Sequence, residues 1–143
     1  MSSSAASSSG FRLAAGRVTA LLGPDAARRG LLGQLDTGSA QGVLTVTSDR
    51  SRSAADRLAA LRQAAEHRPA MVLVDRLTNG LDAADRRTVL AALRTLAAAG
   101  PAVLVDDADP VAALSVADGA LRAEPDGSVV VADLASPISH SSA

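Results

Sequence analysis

The sequence predicts an α/β protein: a three-layer sandwich with a mainly parallel sheet, helices on both faces and a C-terminal β-hairpin. Three observations carry that prediction. Short β-rich segments alternate with longer helical ones along the chain. Met71–Asp75 (MVLVD) and Ala102–Val105 (AVLV) are continuous apolar runs, as expected of strands buried on both faces of a parallel sheet. Gly119–Ala123 and Ser128–Ala132 bracket Glu124-Pro125-Asp126-Gly127, whose composition suits a tight turn between antiparallel strands.

The elements follow in order. Arg17–Leu22 (RVTALL) reads as a strand, Gly23-Pro24-Asp25 as a turn, and Ala26–Leu35 as a short helix. Gly42–Thr47 (GVLTVT) carries β-branched residues at alternate positions and predicts a second strand. Ser53 is placed to cap the next helix, with Asp56 three residues on in a capping-box arrangement. That helix is expected to run to about Glu66, with Pro69 just past its end. After the MVLVD strand, Asn79-Gly80 makes a turn and Asp82 caps a helix over Ala83–Ala99. That helix puts Val89, Leu90, Leu93 and Leu96 on one face. Gly100-Pro101 stops it, because glycine suits the left-handed position and proline cannot continue a helix. Pro110–Val116 is a short helix before the hairpin. The Ser-rich stretches 1–10 and 135–143 are expected to be disordered tails around a single domain at 11–134.

Composition removes several kinds of chemistry. All 14 basic residues of the 143-residue chain are arginine, so every mechanism that needs a lysine is excluded. Cysteine is absent, which excludes disulfides, thiolate metal sites and thiol catalysis together. Glutamate is confined to Glu66 and Glu124, and histidine to His67 and His140. A net charge of −1 offers no basic field to hold nucleic acid. No apolar run approaches the roughly 18–20 residues that span a bilayer, so no direct membrane insertion is expected. Residues 1–10 lack the basic and apolar regions of a secretory signal, which makes the cytoplasm the expected location. Phe11 is the only aromatic residue, and the Ala/Leu/Val-rich core predicts modest stability or reliance on a partner.

In parallel sheets ligands bind at the carboxyl ends of the strands. Here those ends are Gly23–Gly30, Asp75–Asp82 and Asp106–Asp109, where polar residues gather. Gly16–Leu32 (GRVTALLGPDAARRGLL) has a strand, a tight turn and a helix start, the context of a P-loop. It keeps Gly23. Arg28 stands where the motif's second glycine belongs, Arg29 at the lysine, and Gly30 at the hydroxyl residue that holds Mg²⁺.

Gly16–Leu32 resembles the Walker A region of the ATP-binding cassette (ABC) ATPases. His67–Gly100 resembles that family's Walker B strand, D-loop and following helix, and Pro101–Asp133 its switch strand, short helix and terminal hairpin. The order is right, the resemblance covers most of 11–134, and Asn79-Gly80-Leu81-Asp82 behind MVLVD is its most specific part. The resemblance implies a P-loop NTPase-like fold with ATP and Mg²⁺ as ligands. It matches Asp75 to the Walker B aspartate associated with the metal, and Asp82 to the D-loop aspartate. Arg76 falls where the family has its catalytic glutamate, and Ala108 where it has the switch histidine. The signature sequence is unrecognisable near Ser51–Ala55. About 20 residues separate Gly30 from Ser51, so the helical subdomain that grips a transporter's membrane subunit is expected to be missing.

The resemblance thus implies a degenerate ATP-binding subunit, with at most weak nucleotide binding and no hydrolysis, and assigns no catalytic residue. The candidate nucleotide-binding residues are Gly23, Pro24, Asp25, Arg28, Arg29, Gly30, Asp75 and Asp82, with Asp75 the candidate metal ligand. Each has a plainer reading. Asp75 serves either a metal or the polar end of a buried strand. Arg28 and Arg29 are expected to be a solvated first helical turn in preference to phosphate ligands. Arg76 is placed to pair with Asp75 or Asp106, and His67 to favour a helix C-terminus as a structural residue. The partners implied are an intact ABC ATPase subunit or a second copy of this chain. The other readings left open are a non-enzymatic interaction partner and a remnant without function.

Overall fold

The computed structural model describes residues 13–38 and 42–133. The stretches 1–10 and 135–143, and with them His140, lie outside the described residues. Six strands form one sheet: β1 (Val18–Leu22), β2 (Val43–Thr47), β3 (Met71–Asp75), β4 (Ala102–Asp106), β5 (Gly119–Ala123) and β6 (Val129–Asp133). The helices between them are α1 (Asp25–Gly38), α2 (Ala54–Glu66), α3 (Ala83–Ala98) and α4 (Pro110–Val116). The spatial order is β2-β3-β4-β1-β5-β6; all neighbours are parallel except β5 and β6, which form the antiparallel hairpin.

Side-chain alternation divides the core in two. Val72 and Val74, Val103 and Val105, and Val18 and Ala20 face α2, α3 and α4. Leu73, Leu104, Leu21 and Leu121 face the other way, against Leu31 and Leu32 of α1. MVLVD and AVLVD are continuous apolar runs because both of their faces are buried. The branched, compact valines lie beneath three helices, and the longer leucines fill the side that one helix covers.

The connection from β1 travels three strand positions to β2, and the later crossovers step back the opposite way. Right-handed crossovers in opposite directions put α1 on one face and α2–α4 on the other. β1 and β4 are neighbours whose following helices lie on opposite faces, so their carboxyl ends form the switch point at which such sheets receive a ligand in a crevice.

Local sequence sets the boundaries. Ser53 and Asp56 form the expected capping box of α2: Asp56 N–H donates to Ser53 Oγ at 3.1 Å and Ser53 N–H to Asp56 Oδ2 at 3.3 Å. Asp82 caps α3, accepting from Asp85 N–H at 2.8 Å. Asp109 caps α4, with Pro110 in its first turn. Boundaries differ from expectation in six elements: β1 and β2 start one residue later, at Val18 and Val43, and α3 ends one residue earlier, at Ala98. α1 begins at Asp25 and continues to Gly38, β4 extends to Asp106, and β6 is shifted by one residue to Val129–Asp133. β4 reaches Asp106 because its partner β3 continues to Asp75, and pairing carries the ladder one residue past the apolar run. Only α1, β2 and α2 lie between β1 and β3 among the described residues, with no further helical subdomain.

Candidate functional site

The crevice is lined by the β1–α1 turn, the end of β3 and the end of β4. Gly23 opens the turn at φ +115°, a conformation closed to other residues, and a Cβ there would lie 2.2 Å from the Ala123 carbonyl oxygen. The β1–α1 turn thus lies directly against the end of β5. Pro24 precedes α1 and its carbonyl accepts from Arg28 N–H at 3.0 Å. Glycine at position 30 leaves open space beside α1.

Arg28 is withdrawn from solvent, and Arg29, although exposed, is paired with the strand-end carboxylates. Arg28 is only 16% exposed and folds back across the turn. Its Nε donates to the Gly23 carbonyl at 3.0 Å, one Nη pairs with Asp25 at 3.2 Å, and the other pairs with the fully buried Asp106. Arg29 lies across Asp75 as a fork, Nη1 donating to Oδ1 at 2.7 Å and Nη2 to Oδ2 at 3.1 Å. Its Nη1 also lies 3.5 Å from Asp106 Oδ2. These arginines pair because two carboxylates end adjacent, paired strands, Asp75 beside Asp106. Cations at the start of α1 resolve that like-charge contact.

Arg76 departs from expectation as well. Its side chain pairs with Asp25, and its backbone N–H donates to the Asp106 carbonyl at 2.8 Å. Its backbone sits at φ +54°, unusual for a non-glycine residue, and its Nε is buried without a partner. Three guanidinium groups (Arg28, Arg29, Arg76) therefore meet three carboxylates (Asp25, Asp75, Asp106), and the cluster is formally neutral. Burial pushes the Asp106 carboxyl above its ordinary value, with the Arg28 charge opposing. The hydrogen bond to Asp75 holds the Arg29 guanidinium above its own.

Asp82 is exposed and spent on capping α3. His67 ends α2, with Nδ1 2.8 Å from the Gln63 carbonyl oxygen, the structural position expected of it.

A second network escapes a sequence reading. Thr78, fully buried, donates to Asp107 Oδ1 at 2.5 Å, and Asp109 N–H donates to Asp107 Oδ2 at 3.0 Å. Arg86 of α3 donates to Thr78 Oγ1 at 3.3 Å and pairs with Asp109 at 3.8 Å. Arg57, 1% exposed, donates only to main-chain carbonyls: Asp49, Arg52, Leu77 and Asn79. It ties the β2–α2 loop to the β3–α3 loop. One signal for it exists: Arg57 shares the inward stripe of α2 with Leu61 and Ala64, so a cation stands where the period asks for an apolar residue.

The donor set does not fit a divalent cation. Asp75 has both oxygens on Arg29, Asp106 has both on arginines, and Gly30 has no side chain to ligate. Among the described residues no group of three or more His, Cys, Asp or Glu side chains is arranged to hold a metal. No helix among them is long and apolar enough to cross a membrane.

No protein-family model matches the sequence, and no curated protein matches it. Solved structures match the fold. One described as a nucleotide-free ATP-binding cassette from an ABC transporter superimposes with a TM-score of 0.67 at 11% identity, covering 84% of this chain and 81% of that one. Another, described as an ATP binding subunit of an ABC transporter, gives 0.59 at 13% identity, covering 87% and 81%. At these identities the likeness is one of fold. The chain has the fold of the ATP-binding cassette of ABC transporters.

Proposed function

We propose that this chain is a degenerate nucleotide-binding domain of the ABC type, which holds nucleotide phosphates weakly and does not hydrolyse ATP. One observation carries the reading. At the crevice where a parallel sheet receives its ligand, arginines and aspartates are paired with each other. An incoming phosphate competes with these carboxylates for the guanidinium groups, and where it displaces Asp106 that carboxylate is left buried. That exchange lowers affinity.

Hydrolysis needs an acceptor to orient the attacking water. Arg76 stands where the resemblance puts a glutamate, and a guanidinium has five donors and no acceptor. The chain contains no lysine to steady charge developing on a transferring phosphoryl group. In an ATPase assay the protein is expected to release phosphate no faster than a blank; turnover that disappears in Asp75→Ala would overturn this. A thermal-shift titration with millimolar ATP tests binding, with Arg29→Ala as the control. A stabilisation that needs Arg29 supports a retained phosphate site.

The proposed partner is an intact ABC ATPase subunit, or a second copy of this chain, in the cytoplasm. Support comes from the retained fold alongside altered chemistry. Co-purification with a complete cassette subunit is the test, and a clean monomer with no such partner would count against it.

A further inference from the structure

Arg29 and Asp75 form a fork on a fork, each carboxylate oxygen taking one guanidinium nitrogen, at 2.7 and 3.1 Å. Asp75 is where the resemblance expects a divalent cation. A guanidinium in that place supplies a permanent positive charge to the carboxylate and needs no dehydration. Gly30 removes the hydroxyl that would complete a metal's ligands, and Asp106, the nearest other carboxylate, is held by Arg28 and Arg29. The face toward a ligand is therefore arginine: Arg29 is 41% exposed and Arg76 35% exposed.

We propose that Arg29 takes the place of the divalent cation on Asp75, so that the site selects the metal-free polyphosphate over its Mg²⁺ complex. The inference rests on the nucleotide reading above. Guanidinium groups recognise phosphate by charge and by paired N–H donors. Magnesium bound to the polyphosphate neutralises part of that charge and brings a second cation beside three arginines. Aspartate 75 then acts as a competitor for Arg29, opposite to the role of a metal ligand.

Isothermal titration of the full chain with ATP, and separately with inorganic tripolyphosphate, in EDTA and in excess Mg²⁺ tests this. Both ligands are expected to bind at least about threefold more tightly in EDTA, and Arg29→Gln to weaken that binding about tenfold. Asp75→Asn, which frees Arg29, is expected to strengthen metal-free binding. Binding that appears only with Mg²⁺, or that Asp75→Asn weakens, overturns the proposal while leaving the nucleotide reading intact. No binding under either condition overturns both. Circular dichroism of Asp75→Asn and Arg29→Gln establishes that each is folded, and either variant alone suffices for the comparison.

Discussion

Arg57 reaches from α2 to the Leu77 carbonyl at 2.8 Å, bridging 20 positions of sequence inside the core. The charge has no carboxylate partner within ion-pair distance among the described residues, and it is stabilised by four main-chain carbonyls. Leu77 and Asn79 follow Asp75 and Arg76 directly, so Arg57 fixes the loop that leaves the crevice.

Removing Arg57 leaves the Leu77 carbonyl buried without that donor, at about 1–3 kcal/mol, whereas the Asp49 carbonyl keeps Ser48 Oγ and the Arg52 N–H. Arg57→Ala is expected to destabilise the fold by on the order of 2–3 kcal/mol, from the Leu77 carbonyl and from the lost packing of the buried side chain. Arg57→Lys is expected to recover only part of this, since an ammonium cannot span the fork. Urea unfolding measures both. A Lys variant as stable as the parent would show that charge alone, without the fork, holds the loops.

Two glycines of the β1–α1 segment are expected to behave in opposite ways. Gly23→Ala meets a positive φ and the Ala123 carbonyl together, and should cost about 1–3 kcal/mol from the backbone alone. Gly30→Ala enters open space within a helix and should stabilise by about 0.5–1 kcal/mol. Thermal unfolding of the two variants side by side tests the assignment. A stabilised Gly23→Ala would contradict the close approach of the turn to β5.

Asp106 gives stability a pH dependence of known sign. Burial raises its folded pKa above the ordinary 3.8, with Arg28 pulling the other way. Folding then favours the protonated form, so its contribution is complete below about 3.8 and is lost as pH rises through the raised folded value. Asp106→Asn is always neutral and lacks this loss. Across that window the variant's stability relative to the parent is expected to improve as pH rises, then level off. A difference moving the other way would show that the ionised pair with Arg28 outweighs burial.

Asp82→Ala separates a cap from a ligand. The exposed Asp82 accepts from Asp85 N–H, and its loss should cost about 1 kcal/mol of stability. ATP affinity is expected to stay unchanged. A specific loss of affinity at unchanged stability would instead place Asp82 in the nucleotide site.

The sequence by itself determined the elements and their order. MVLVD and AVLV announce doubly buried strands, Ser53 and Asp82 announce helix starts, and Glu124–Gly127 announces the hairpin, because each signal is carried by neighbours in the chain. It also determined that no lysine or thiol chemistry is available. Only the tertiary structure decided where the charges go. Arg29 and Asp75 are 46 positions apart, and Arg28 and Asp106 are 78 apart. A first-turn arginine is unpaired by default, and these two pair because the β3–β4 register sets two carboxylates side by side. Arg76 pairs its side chain with Asp25 and gives only its backbone N–H, from a left-handed conformation, to Asp106 of β4. Ion pairing of this kind depends on distances in space, which a register creates and a linear pattern does not contain.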